Sequence, residues 1–122
     1  MQLKSLAVPL GIFSIGLGLV EWFAPRSVAL AHGSPEAEPL VRGFGAREIA
    51  AGVGILAAPQ RSAGLWARAA GDVLDIAAAG AAVARAEGRA RKIALGTLAF
   101  VAGALVLDVL VARAVAAGGA DG

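Results

Sequence analysis

Four stretches of this chain are apolar for the length of a helix, and charges interrupt each of them only sparsely. The first runs from Ser5 to Phe23, the second from near Pro35 to about Ala58, the third from Ser62 to about Ala86 and the fourth from Ile93 to about Ala117. Each is about long enough to cross a hydrocarbon layer of about 30 Å. The apolar residues surround the predicted helices instead of forming one stripe, as expected of helices with apolar surroundings on every side. Strict alternation of polar and apolar residues is absent, and alanine and glycine dominate, which argues against strands. The pattern predicts an all-α fold: an integral membrane four-helix bundle forming a single transmembrane domain over residues 1–122.

The punctuation between these stretches fits that reading. Pro9 lies near a helix start, where proline is tolerated. "APRSVALAHGSPEAEPL" reads as a polar connection. Within it Ser34, Pro35 and Glu36 combine an N-cap, a first-turn proline and an acid at the positive end of the helix dipole. The second helix is therefore expected to begin near Pro35 on the membrane surface and to pass Gly43 and Gly45 before it spans. "PQRS" reads as a turn, "EGRARK" (Glu87–Lys92) as the next loop and "GGADG" as a frayed tail. Lys4, the apolar run from Leu6 to Val20 and the "ALA" at 29–31 resemble a secretory signal. Glu21, Trp22, Pro25 and Arg26 make the stretch after that run too long and too polar, so it reads as a retained membrane helix.

Composition sharpens the membrane reading. Hydrophobic residues make up 58% of the 122 and charged residues 16%, against about 45–50% and about 25% in soluble domains. A soluble alanine-rich bundle is the alternative. The net charge is only +2, and no basic stretch is interleaved with aromatics, so nucleic acid is not an expected partner. The absence of cysteine excludes disulfides, thiolate metal sites and cysteine nucleophiles. One histidine, His32, leaves no pair for haem or a histidine-based metal site, so neither metal nor cofactor is expected. The loops on one side carry Arg26, Arg42, Arg85, Arg89, Arg91 and Lys92, against Lys4 and Arg61 on the other. The positive-inside bias then predicts both termini outside and loop 87–92 in the cytoplasm of a bacterial inner membrane. Trp22, Phe23 and Phe44 would mark the cytoplasmic interface and Trp66 the opposite one.

The candidate chemistry lies in the charges that remain inside the helices. Arg68, Asp72 and Asp75 fall at i, i+4 and i+7 and share one helix face. The first helix carries a matching stripe of small and polar residues, Gly11, Ser14, Gly18 and Glu21, of the kind that lets helices approach closely in lipid. Folding the second hairpin about Gln60 brings Glu48 level with Asp72, with Arg47 beside it. Folding the third about Ala90 brings Asp108 to the same depth. Arg68 and Arg113 then lie about a turn to one side and Glu21 to the other. Each Arg or Asp at a helix centre costs about 2.5–3.5 kcal/mol on insertion, so these groups must face partner helices or water. Five acids against three arginines leave the layer formally negative.

Two interpretations follow. Arg68–Asp72 and Arg47–Asp75 could be structural salt bridges locking weakly hydrophobic helices together. Alternatively Glu21, Arg47, Glu48, Arg68, Asp72, Asp75 and Asp108 form a site that binds or conducts a proton, an ion or a small polar group such as a lipid head. "GLG" at 16–18 and "GVG" at 52–54 follow no strand and read as helix-packing glycines, not nucleotide loops. Ser14 has no base in its register and reads as a packing hydroxyl.

"SIGLGLVEWFAP", "GAREIAAGVGIL" and "WARAAGDVLDIA" resemble a family of small four-helix bacterial membrane proteins, some associated with cyclase/dehydrase-like proteins. The likeness covers roughly residues 11 to 80. It implies architecture alone, since no catalytic residue carries over. The size and the helix-1 glutamate also look like the small multidrug transporters, but the arginines here would repel a cationic drug. The reading in hand is thus a transport or binding protein embedded in lipid, as a homo-oligomer or with a membrane-protein partner. Its alternative is an accessory or assembly subunit of a larger membrane complex. An intramembrane enzyme using the acid–arginine layer for proton transfer is a third reading, and no substrate is identified for it.

Overall fold

The computed structural model describes residues 2–31 and 38–118, and the described residues fold into helices without a strand. A single 3-10 turn, Leu3–Leu6, leads into α1, Ala7–Phe23. Pro9 sits in the first turn of α1, where its missing N–H forfeits no intrahelical bond. Ala24 leaves the helical region (φ −128°, ψ 47°), because the residue before a proline is pushed out of it. Pro25 then opens a short helix, α2, Pro25–Ala31. The "APRSVALA" read as irregular connection is therefore helical: proline suits a first helical position, and the residues after it form helix readily. The start expected near Pro35, and His32, lie outside the described residues.

Three long helices complete the chain: α3, Glu38–Ala57; α4, Ala63–Arg85; and α5, Gly88–Gly118. The loop expected over 87–92 is a correction. Only Ala86 and Glu87 separate α4 from α5, with Ala86 extended (ψ 158°). Gly88 takes φ +57°, a left-handed conformation that glycine adopts without a Cβ penalty. Arg89, Arg91 and Lys92 thus fall in the first turns of α5. Positive charge there opposes the helix dipole. The intrinsic helix preference of arginine, alanine and lysine outweighs that modest term.

The α1 stripe of small residues packs against α3. A Cβ at Gly18 would stand 2.6 Å from the Gly45 carbonyl oxygen, and one at Gly52 would stand 2.6 Å from that of Gly11. Two glycines seven residues apart on each helix therefore bring antiparallel backbones into contact. The α4 helix packs along α5, and α3 joins the two pairs through α4. At the Lys4 end, Ala7, Ile55, Leu65, Val111, Ala112 and Val115 form an apolar core, with Leu6 and Leu10 packed on it.

By length and composition two stretches suit a membrane crossing, Leu3–Phe23 and Gly88–Gly118, with mean hydropathy 1.8 and 2.3. The four crossings expected from the sequence are thereby halved on this criterion. Arg42, Arg47 and Glu48 interrupt α3, and Arg68, Asp72 and Asp75 interrupt α4.

Candidate functional site

The charges that interrupt α3 and α4 turn inward and meet. Arg68 leaves α4 between two partners: its Nη1 donates to Glu48 Oε2 on α3 at 3.0 Å, and its Nε to the Asp108 carboxylate on α5 at 3.1 and 3.2 Å. Both acids and the arginine are buried. Ser14 on α1 completes the chain of contacts. Its hydroxyl donates to the Glu48 backbone carbonyl at 2.7 Å and lies 3.3 Å from Glu48 Oε2. One continuous line, Ser14–Glu48–Arg68–Asp108, therefore ties α1, α3, α4 and α5.

Arg47 makes a second, looser tie. Its Nη2 donates to both oxygens of Asp75, at 3.0 and 3.2 Å, and lies 3.7 Å from Glu48 Oε1. Its guanidinium crosses the α4 backbone at Gly71, where a Cβ would stand 2.7 Å from Arg47 Nε. Only a glycine leaves room for that crossing. Arg47 also lies over the Phe44 ring, 5.1 Å from its centroid, and Arg68 lies 6.0 Å from that of Phe13. Such stacking holds a guanidinium without neutralising it.

The pairing corrects one expectation. Arg68 and Asp72 form no ion pair, although they share a face one turn apart. A cation placed N-terminal to an acid is the weaker order on a helix. Glu48 and Asp108 across the interface outcompete Asp72. The Asp72 carboxyl is buried in the same layer as that of Asp108 instead, and its Oδ2 has no hydrogen-bond partner. The expected Arg47–Asp75 pair is present.

Each of the other sequence candidates has a definite place. Glu21 is half-buried at the far end of the α1 stripe, its Cβ packed against Gly45 of α3, with Oε1 buried and unpartnered. Arg113 is exposed and takes no part, so five acids face two arginines where three had been counted. The roles of Gly71 and of the two phenylalanine rings were not visible in the sequence, because no local pattern marks a residue crossed by a side chain from another helix.

No group of three or more His, Cys, Asp or Glu among the described residues is arranged to hold a metal ion. Two surface recesses, of about 410 and 280 Å³, lie away from the network. Trp22, Glu38, Pro39, Arg42 and Gly43 line the larger. Lys4, Pro59, Gln60, Val115 and Gly118 line the smaller. Comparison with known protein families, with curated proteins and with solved structures finds no match to the chain.

Proposed function

We propose that the chain is a four-helix integral membrane protein whose buried carboxyls bind and exchange a proton. The observation that carries this is the Asp72–Asp108 pair: two buried carboxyls, one of them with an oxygen that has no hydrogen-bond partner, in a cluster of five acids and two guanidiniums. Two ionised carboxylates in one site repel strongly, and a shared proton removes the repulsion while supplying the donor that neither oxygen has. Arg68 cannot neutralise both, since its single positive charge is already shared between Asp108 and Glu48. A metal cation would meet two guanidiniums among the carboxylates, whereas a proton fits between two oxygens without displacing them.

The membrane setting is supported by how the helices share their surfaces. Only 22% and 17% of the two apolar windows is buried, unlike the core helix of a water-soluble domain. Because α3 lies backbone to backbone on α1, it occupies the same depth. Leu40 and Val53 are exposed on α3, and Trp66, Val73 and Leu74 on α4. Lys4, Gln60 and Gly118 border one recess, so the first and last helices and the α3–α4 turn meet at one end. Four crossings satisfy all of these at once, with the charges turned from lipid.

Infrared spectroscopy of the protein in vesicles tests the proposal. The expected result is a protonated-carboxyl C=O stretch at neutral pH, lost in Asp72→Asn and in Asp108→Asn. A wild-type spectrum without that band overturns it. Flux driven by a pH gradient then separates conduction from binding: flux abolished in Asp72→Asn extends the role to transport.

A second reading, an accessory subunit, draws on the Ser14–Glu48–Arg68–Asp108 line as a purely structural clamp. It predicts a stoichiometric partner on isolation in mild detergent and no protonated carboxyl.

A further inference from the structure

The charge network is asymmetric, and its asymmetry bears on how a proton reaches it. Around Arg68 everything is tight: the side chains of Arg68, Glu48 and Asp108 are 4%, 6% and 1% exposed. Around Arg47 it is loose. Arg47 and Asp75 are 26% and 23% exposed, Arg47 Nε has no partner, and the contact with Glu48 is long. Beneath the guanidinium α4 offers only the bare backbone of Gly71, whose carbonyl is 3.5 Å away.

The two ends of the helices differ in the same sense. From Asp108 toward the Lys4 end, the next turn of α5 is Val111 and Ala112. They belong to the apolar cluster with Ile55 and Leu65, all essentially without exposure. No ionisable group lies in that cluster, and a proton has no relay through it. Toward the other end stand Asp75 on α4 and then Glu21 on α1, two residues before the helix finishes. Trp22 and Phe23 follow, exposed as aromatics are at a membrane–water border. Glu21 keeps one buried oxygen without a partner.

We infer that the Asp72–Asp108 pair exchanges its proton with water at the Glu21 end only, by way of Glu21 and Asp75, with Arg47 as a movable cap seated on Gly71. The inference rests on the proton-binding reading above. Glu21 is the outer relay, because its carboxyl can pass a proton between water and the network. Asp75 is the inner one, one turn along α4 from Asp72. Arg47 is held by Asp75, stacked on Phe44 and laid over Gly71, the residue before Asp72, and its displacement opens the way. Arg68 stays fixed, since both of its acids are buried and fully engaged.

The test follows hydrogen–deuterium exchange of the protonated-carboxyl band in vesicles transferred to deuterated buffer. Glu21→Gln breaks no ion pair, so its band should persist at the wild-type position while exchange slows by at least about tenfold, as for loss of a positioned proton-transfer group. Gly71→Ala, which pushes the Arg47 guanidinium from its seat, should speed exchange. Lys4→Gln, at the sealed end, should leave the rate unchanged. A persistent band with unaltered exchange in Glu21→Gln overturns the route and leaves the proton-binding reading standing. Slower exchange in Lys4→Gln overturns the one-sidedness. Absence of the band in the wild type removes the proton-binding reading and the route together.

Discussion

The Ser14 hydroxyl donates to the backbone carbonyl of Glu48, 2.7 Å away on a neighbouring helix. So short a bond from a side chain of one carbon is possible only because α1 and α3 touch through glycines on either side of it: Gly11 against Gly52 and Gly18 against Gly45. The same bond anchors the residue that accepts Arg68. Close helix packing and the charge network are thus one construction.

Removing the hydroxyl should be mild and enlarging the side chain severe. Ser14→Ala is expected to lower stability by about 1 kcal/mol, the net worth of one hydrogen bond. Ser14→Leu adds bulk between the two closest points of the α1–α3 contact and should destabilise by about 1–3 kcal/mol from overpacking alone. Reversible unfolding in mixed micelles measures both, and equal losses would contradict the close approach.

Glycines in this chain should divide sharply by position. Gly45→Ala places a Cβ 2.7 Å from the Gly18 carbonyl oxygen and should cost about 1–3 kcal/mol. Around Gly54 a Cβ meets nothing within 4 Å, so Gly54→Ala should be neutral or stabilising by up to about 1 kcal/mol from helix preference. The same unfolding assay, run on the two variants side by side, checks the contrast.

The two arginine ties should differ in strength. Asp108→Ala strands Arg68 in the interior and should cost about 3–5 kcal/mol. Asp75→Ala strands the partly exposed Arg47, which can swing outward, and should cost about 1 kcal/mol or less. Comparable losses would mean that Arg47 is as fixed as Arg68.

Four crossings and two crossings make opposite predictions for one turn. With four, a probe at Gln60→Cys is reached from the side opposite to Glu87→Cys. With only α1 and α5 crossing, both are reached from the same side. The chain has no native cysteine, so membrane-impermeant labelling of each variant in intact cells and in inverted vesicles decides between them.

The predicted sites were legible to the extent that helix geometry is local. Arg68, Asp72 and Asp75 share a face by the 3.6-residue period alone, and counting residues from a turn brings Glu48 and Asp108 to their depth. The choice of partners was not legible. Arg68 pairs with Glu48 and Asp108 and passes over Asp72, because two acids on facing helices offer better geometry than one on its own helix in the weaker order. Arg113 shares a helix with Asp108 but points outward. The helix at Pro25–Ala31 and the early start of α5 were hidden because proline and clustered basic residues are also the marks of loops.

What the sequence by itself determined is the helical class, the scarcity of charge along four apolar stretches and the glycine spacing on α1 and α3, all properties of neighbours along a chain. Only the tertiary structure decided that α1's small face meets α3, that Arg47 lies across Gly71, and that Asp72 keeps a buried oxygen without a partner. Those facts depend on the rotation of each helix about its axis, which interhelical contacts set. A residue's spacing names its face, and its partner emerges only when four faces are packed at once.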